Sequence, residues 1–199
     1  MRRITMFNRV SADGYFAGPD GNLNWVVPDP DVDKAGVAGI PETDTVLFGR
    51  KTYEMFAQFW PRVAEDADKA PDPHMPGRET REIRAFATML NNATKLVFSR
   101  TLKSATWKNS QLVPELDPGA IEALKRKPGK GMIIFGSGTI ASQLTEHGLI
   151  DDFIFVVNPV LLGNGRTLLN GIPASAKLKL AEAKPYSSGN ILIRYARSS

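Results

Sequence analysis

Three apolar runs in the sequence end in groups suited to phosphate. The first, "TVLFGRKTYE" at 45–54, passes into Gly49, Arg50, Lys51 and Thr52. The second, "KLVFSR" at 95–100, ends in Ser99 and Arg100. The third, "IIFGSGTIASQL" at 133–144, sets Gly136, Ser137, Gly138 and Thr139 between a strand-like half and a helix-like half. A glycine turn that opens a helix lets the backbone approach an anion, and the first helical amides point at it. Cations at a helix amino terminus oppose the dipole, so Arg50 and Lys51 need another reason to be there. A bound phosphate supplies one. Ligands of open α/β sheets bind beyond the carboxyl ends of the strands, so these ends taken together point to a cofactor with several phosphates.

Gly136, Gly138 and Ala141 have the G-x-G-x-x-A spacing of a dinucleotide fingerprint. That fingerprint also needs an acid near the end of the next strand, for the ribose. Here Asp151 and Asp152 precede the next strand, which ends in Asn158 and Pro159. The Rossmann reading therefore fails, and on this stretch alone a bare turn competes evenly with a phosphate cradle. No G-x-x-x-x-G-K-[ST] loop and no acid cluster for magnesium supports a nucleotide-binding transferase. The chain has no cysteine and only His74 and His147, so neither a disulfide framework nor a metal centre is expected.

The elements that must position these residues follow from the hydropathy pattern. Strand-like runs occur at 4–10, 45–49, 95–99, 132–136 and 153–157, and two alternating runs, "KLKLAEA" and "NILIRYA", close the sequence. Between them, Ile83, Phe86, Ala87 and Leu90 recur at helical spacing. Asp117 followed by Pro118 starts another helix, and Gly148 ends the one after Gly138, with His147 beside the last carbonyls. Strands alternating with helices and then a terminal strand pair predict a mostly parallel mixed sheet with an antiparallel carboxyl-terminal edge and helices on both faces. The 199 residues read as one domain, 1–199, large enough to bury a core. The long segment 60–78, with four prolines, reads as a loop that is a lid, a partner contact or simply mobile.

Hydrophobic residues at 42% and charged residues at 23% are ordinary for a soluble protein. No apolar run approaches the ~18 residues that span a bilayer, and "MRRITMFNRV" at 1–10 reads as a short alternating strand without the apolar core expected of a secretion signal. A cytoplasmic protein with no membrane partner is expected. The net charge of +4 suits an anionic ligand. The basic run "KRKPGKG" at 125–131 has no interleaved aromatic residues, so a solvated helix end is favoured there over a nucleic-acid patch.

In order, "VSADGYFAGPDGNLNW", "FGRKTYE", "LVFSRTL", "IIFGSGTIASQL" and "PVLLGNGRTLL" resemble the dihydrofolate reductase-like superfamily. The nearest likeness is to the family of the reductase domain of the bifunctional riboflavin-biosynthesis deaminase-reductase. The resemblance spans Arg3 to Tyr195. It implies a three-layer αβα sandwich that binds NADPH and transfers a hydride to a small heterocyclic or carbonyl-like substrate. By position, it implies that Gly49, Arg50, Lys51 and Thr52 hold the pyrophosphate and the 2′-phosphate, that Ser99 and Arg100 meet the adenosine, and that Gly136, Ser137, Gly138 and Thr139 hold the pyrophosphate. Ala17 and Gly18 would lie against the nicotinamide. Asp33, beside Asp31 at the start of the first helix, stands where dihydrofolate reductases place their substrate-binding acid, and it is the catalytic candidate. Acids there also serve as plain dipole partners. Trp25 could stack on a flat substrate or simply close the core. Asp13, in an Asp-Gly pair, reads more readily as a turn residue than as a proton donor.

The sequence departs from the riboflavin enzymes where their Asp-Asp-Pro pattern binds a ribosyl phosphate, reading "MFAQFWPR" at 55–62 instead. A homodimer is expected from the resemblance, with Ile191, Ile193 and Tyr195 as candidate contacts. The alternative function is a non-catalytic nucleotide- or ligand-binding regulatory domain that keeps the fold.

Overall fold

The computed structural model describes residues 1–38, 40, 42–65, 81–172 and 176–198. In chain order the elements are β1 (Ile4–Ser11), β2 (Tyr15–Ala17), α1 (Pro30–Ala38), β3 (Thr43–Gly49), α2 (Arg50–Glu65), α3 (Arg81–Asn92), β4 (Thr94–Phe98) and β5 (Ser110–Val113). They continue with α4 (Pro118–Arg126), β6 (Gly131–Phe135), α5 (Gly138–Glu146), β7 (Asp152–Asn158), β8 (Arg166–Thr167), β9 (Leu178–Pro185) and β10 (Ile191–Arg197).

Val46 to Phe48 in β3 and Met132 to Phe135 in β6 are buried without interruption, the pattern of parallel strands covered on both sides. The sheet runs β5-β4-β3-β6-β1-β7-β10-β9. Its first six strands are parallel, while β10 is antiparallel to both β7 and β9. Successive side chains alternate between faces. Ile4, Met6, Leu47 and Ile134 pack on Ile121 of α4 and on Ile140 and Leu144 of α5. Val46, Phe48, Ile133 and Phe135 pack on Tyr53 of α2 and on Phe86 and Leu90 of α3. Val32 of α1 covers Ile154, Val156 and Leu192. The result is a three-layer αβα sandwich, as expected.

This layering places the cleft. The chain leaves β6 for α5 on one face, whereas it leaves the neighbours β1 and β3 for α1 and α2 on the other. Helices diverging from adjacent strand ends open a crevice at their carboxyl edge.

The segment 60–78 differs from its expectation at its start. Residues up to Glu65 continue α2 through Pro61, because Phe56 stacks on Phe135 at 5.5 Å and Trp60 meets Phe86 edge-on at 4.8 Å. Tertiary packing there outweighs the missing amide of proline. Residues 66–80, with His74 and the rest of the segment read as a lid, a partner contact or a mobile loop, lie outside the described residues. Three short strands, β2, β5 and β8, are additional to the expected ones.

The helix-end expectations hold in detail. Asp117 accepts from the Gly119 amide at 2.9 Å with Pro118 in the first turn, and a His147 ring nitrogen lies 2.9 Å from the Gln143 carbonyl oxygen. Asp29 caps α1, accepting from the amides of Asp31 and Val32 at 2.9 and 3.2 Å. No helix among the described residues is long and apolar enough to cross a membrane.

Candidate functional site

At the crevice the amino termini of α2 and α5 are stitched together. The Ser137 hydroxyl accepts from the Gly49 amide at 3.0 Å, and the Ser137 amide donates to the Thr52 hydroxyl at 3.1 Å. Ser137 itself is left-handed, at φ 50°, which frees its side chain from capping its own helix. Two glycines make the approach possible. Gly136 has φ +52°, and a Cβ on it would lie 3.2 Å from the Thr52 hydroxyl; a Cβ on Gly138 would fall 2.8 Å from the Leu168 carbonyl oxygen. Neither helix has an acid in its first turn, so both dipoles face the crevice uncancelled.

A cleft of about 1840 Å³ runs from these turns along the carboxyl edge of the sheet. Gly49, Arg50, Lys51, Thr52, Gly136, Ser137, Gly138 and Thr139 line one end of it. Arg50 lies 3.7 Å from Glu54, one turn on, with both side chains well exposed. Ala17 lines the middle, brought there by the pairing of β2 with β8, which sets it opposite Arg166. The far end is walled by α1, α2 and α3 and holds Asp33, whose carboxylate accepts from the Arg9 guanidinium of β1 in a mostly buried ion pair.

The sequence profile of the RibD C-terminal domain matches residues 2–192. The chain belongs to the RibD C-terminal domain family. Among its relatives is "Uncharacterized protein YyaP" of Bacillus subtilis (strain 168), 28% identical over 198 residues, covering 98% of this chain and 94% of that protein. A putative riboflavin biosynthesis protein from Shewanella sp. PV-4 superposes with a TM-score of 0.70 at 21% identity, over 99% of both chains. Dihydrofolate reductase from Enterococcus faecalis, complexed with NADP(H) and RAB-propyl, superposes with a TM-score of 0.61 at 15% identity, over 99% of this chain and 97% of that one. The fold is thus dihydrofolate reductase-like, and the G-x-G-x-x-A spelling belongs to this domain rather than to a Rossmann unit.

Not every expected site residue of this RibD C-terminal domain reaches the cleft. Ser99 closes a local turn, its hydroxyl accepting from the amides of Thr101 and Leu102 at 3.2 and 2.9 Å. Arg100 is exposed and pairs with Glu115 at 2.6 Å. From that strand end only Phe98 lines the cleft. The reason is strand order: β4 lies outside β3, one strand farther from β6 than the sequence alone shows. Gly18 sits next to Ala17 but in a turn of its own, its amide donating to the Asn22 carbonyl at 3.0 Å. Trp25 is half-buried outside the lining, while Leu23 and Val26 on either side of it reach the cleft.

Asp13 ties two loops rather than closing a local turn. Its carboxylate accepts from the amides of Leu162 and Gly163 at 3.1 and 2.7 Å and from the Ser11 hydroxyl at 2.6 Å. The Ser11 hydroxyl, and then the Gly163 amide, hold its pKa down to about 2. A group so firmly ionised is a poor proton donor near neutrality.

Sequence reasoning missed Arg9, Arg166 and Thr167, all of which line the cleft. Arg9 had a visible signal, as the one charge inside the strand-like run at 4–10. Arg166 lies in the quoted "PVLLGNGRTLL" run, but two residues of strand give no periodicity from which to read a direction. Its guanidinium lies against Gly21 and near Asp20.

Proposed function

We propose that this RibD C-terminal domain is an NADPH-dependent reductase that passes a hydride to a small heterocyclic or carbonyl-like acceptor. The observation that carries the reading is the Ser137 stitch, which brings two acid-free helix amino termini, Arg50, Lys51 and Thr52 to one end of a single cleft. The donor set suits a pyrophosphate: the two helix amino termini carry no first-turn acid, and the glycines, where a Cβ would be crowded by Thr52 at Gly136 and by Leu168 at Gly138, keep the turns close enough to face one cleft.

Gly49, Thr52 and the Gly136–Thr139 turn would hold the pyrophosphate, and Arg50 and Lys51 the 2′-phosphate. Ala17, with Gly18 beside it, would lie along the nicotinamide. The proposal leaves out Ser99 and Arg100, and Trp25 as a substrate contact. The bound cofactor supplies a hydride donor. The chain's own part is alignment and exclusion of water, which carry most of the acceleration when the hard chemistry belongs to a cofactor. Asp33, held by Arg9, would orient the acceptor at the far end. A second copy of the chain would cover the outer sheet face at Ile191, Ile193 and Tyr195.

Turnover tests this reading. NADPH absorbance should fall with a suitable acceptor, one equivalent of reduced product appearing per NADPH, and Asp33→Asn should slow turnover about 100-fold while leaving NADPH affinity nearly unchanged. Saturable NADPH binding without oxidation by any acceptor in a broad panel would favour the non-catalytic alternative.

A further inference from the structure

The far end of the cleft is walled mainly by aliphatic and aromatic side chains. Phe56 and Trp60 stand one turn apart on α2, Phe86 faces them from α3, Val37 and Ile40 close the α1 side, and Phe7 forms the floor. The aromatic members form one connected set through Phe135, with Phe7 at 6.0 Å, Phe56 at 5.5 Å and Phe86 at 5.5 Å. Side chains that served only to fill the core would be covered. Phe7, Val37, Ile40, Phe56 and Trp60 are instead half-buried and turned toward the cleft.

The charges at this end argue the same way. Among the described residues, the charged side chains lining it are Arg9 and Asp33, which neutralise each other, and Arg62 at the exposed rim. Lys51 lies nine residues back along α2 from Trp60, about 14 Å at ~1.5 Å per residue. A phosphate lodged among the aromatic rings would lose its hydration beside an arginine whose charge Asp33 already neutralises, with Arg62 out at the rim. An uncharged flat ring would displace water from apolar surface and meet the aromatic edges and faces favourably.

We infer that the acceptor is a planar, uncharged, phosphate-free conjugated carbonyl compound, and not a phosphoribosylated pyrimidine. This rests on the reductase reading above and adds the substrate class. Hydride adds to the carbonyl carbon and a proton from water to its oxygen, giving the alcohol, which in the case of a quinone tautomerises to the hydroquinone, as NADPH is oxidised to NADP⁺.

Calorimetric titration of the full chain, saturated with NADP⁺ to prevent turnover, tests the assignment with menadione and uridine 5′-monophosphate as probes. Menadione should bind at least about tenfold more tightly than the nucleotide, and Phe56→Ala should weaken it about tenfold without moving NADPH affinity. Phe56 also packs on Phe48 at 5.2 Å. If Phe56→Ala does not fold, Val37→Asn, at a half-buried wall position, gives the same readout. Uridine monophosphate binding as tightly as menadione, or menadione affinity unmoved by the folded variants, overturns the inference. Separate titration with NADPH alone distinguishes the two claims: no cofactor binding strikes the reductase reading, whereas cofactor binding with the wrong probe preference strikes only the substrate class.

Discussion

At the scale of single residues, Arg50 decides between a general anion cradle and a site for the 2′-phosphate. Its guanidinium stands at the first residue of α2, where no acid cancels the dipole, and its pairing with Glu54 is long and solvent-exposed. Exposed i,i+4 pairs contribute little, so the side chain is available to a phosphate. Arg50→Ala should weaken NADPH about tenfold and NADH less than about twofold, measured by equilibrium titration of both. Equal losses would remove the 2′-phosphate from Arg50. Glycine spacing made the two turns legible in the sequence, because few backbones other than a cradle or a tight turn need Gly136 and Gly138 together. Ser137 was legible only as a member of the motif. Its bond across to Gly49 joins segments 88 residues apart, which no local pattern encodes.

Elements show a similar division. β1, β3, β4, β6 and β7 stood out as apolar runs because the parallel sheet is covered on both faces. β2 and β8 have three and two residues, too few for any period. α2 past Pro61 was illegible for a different reason, since its support comes from Phe86 and Phe135 on distant elements. Another hidden support is Lys95, which is fully buried in β4 and donates to the carbonyls of Leu90 and Asn91 at 2.8 and 3.1 Å, capping the end of α3. Its ammonium also lies 4.5 Å from the centre of the Trp107 ring. Burial pushes its pKa down to about 8. The unfolded chain, with a lysine near its ordinary value, binds the proton more tightly across pH ~8 to ~10.5, so this residue's contribution to stability rises with pH through that window. Denaturant titrations at pH 8 and pH 10.5 should show the wild type gaining stability relative to Lys95→Met over that interval. A constant difference would mean that the lysine is not depressed.

For the whole molecule, the open question is what covers the outer part of the α4/α5 face. Ile191 is 38% exposed and Leu180 54% exposed, and Tyr195 packs edge-on against Phe155 at 6.4 Å beside them. Leu192, on the opposite face, is fully buried under α1. The alternation therefore divides β10 between a finished core and an unfinished apolar surface. If a second copy covers that surface, sedimentation should give twice the 21.8 kDa of one chain, and Ile193→Asp should shift the protein to the single-chain mass without unfolding it. A wild-type protein that sediments at the single-chain mass at micromolar concentration would refute the dimer. The fold class and the cleft's position on the sheet could be read from the sequence, because both follow from the order of strands and helices. The aromatic end of the cleft could not, because it assembles α1, α2, α3 and β1 through contacts that only the folded chain makes.

The central claim is that the stitched helix amino termini hold a phosphorylated nicotinamide cofactor. Titrating the purified chain separately with NADPH and NADH, following tryptophan quenching and energy transfer to the reduced nicotinamide, tests it most directly. Saturable binding with NADPH at least about tenfold tighter than NADH is the expected result. No saturable binding of either would contradict the account.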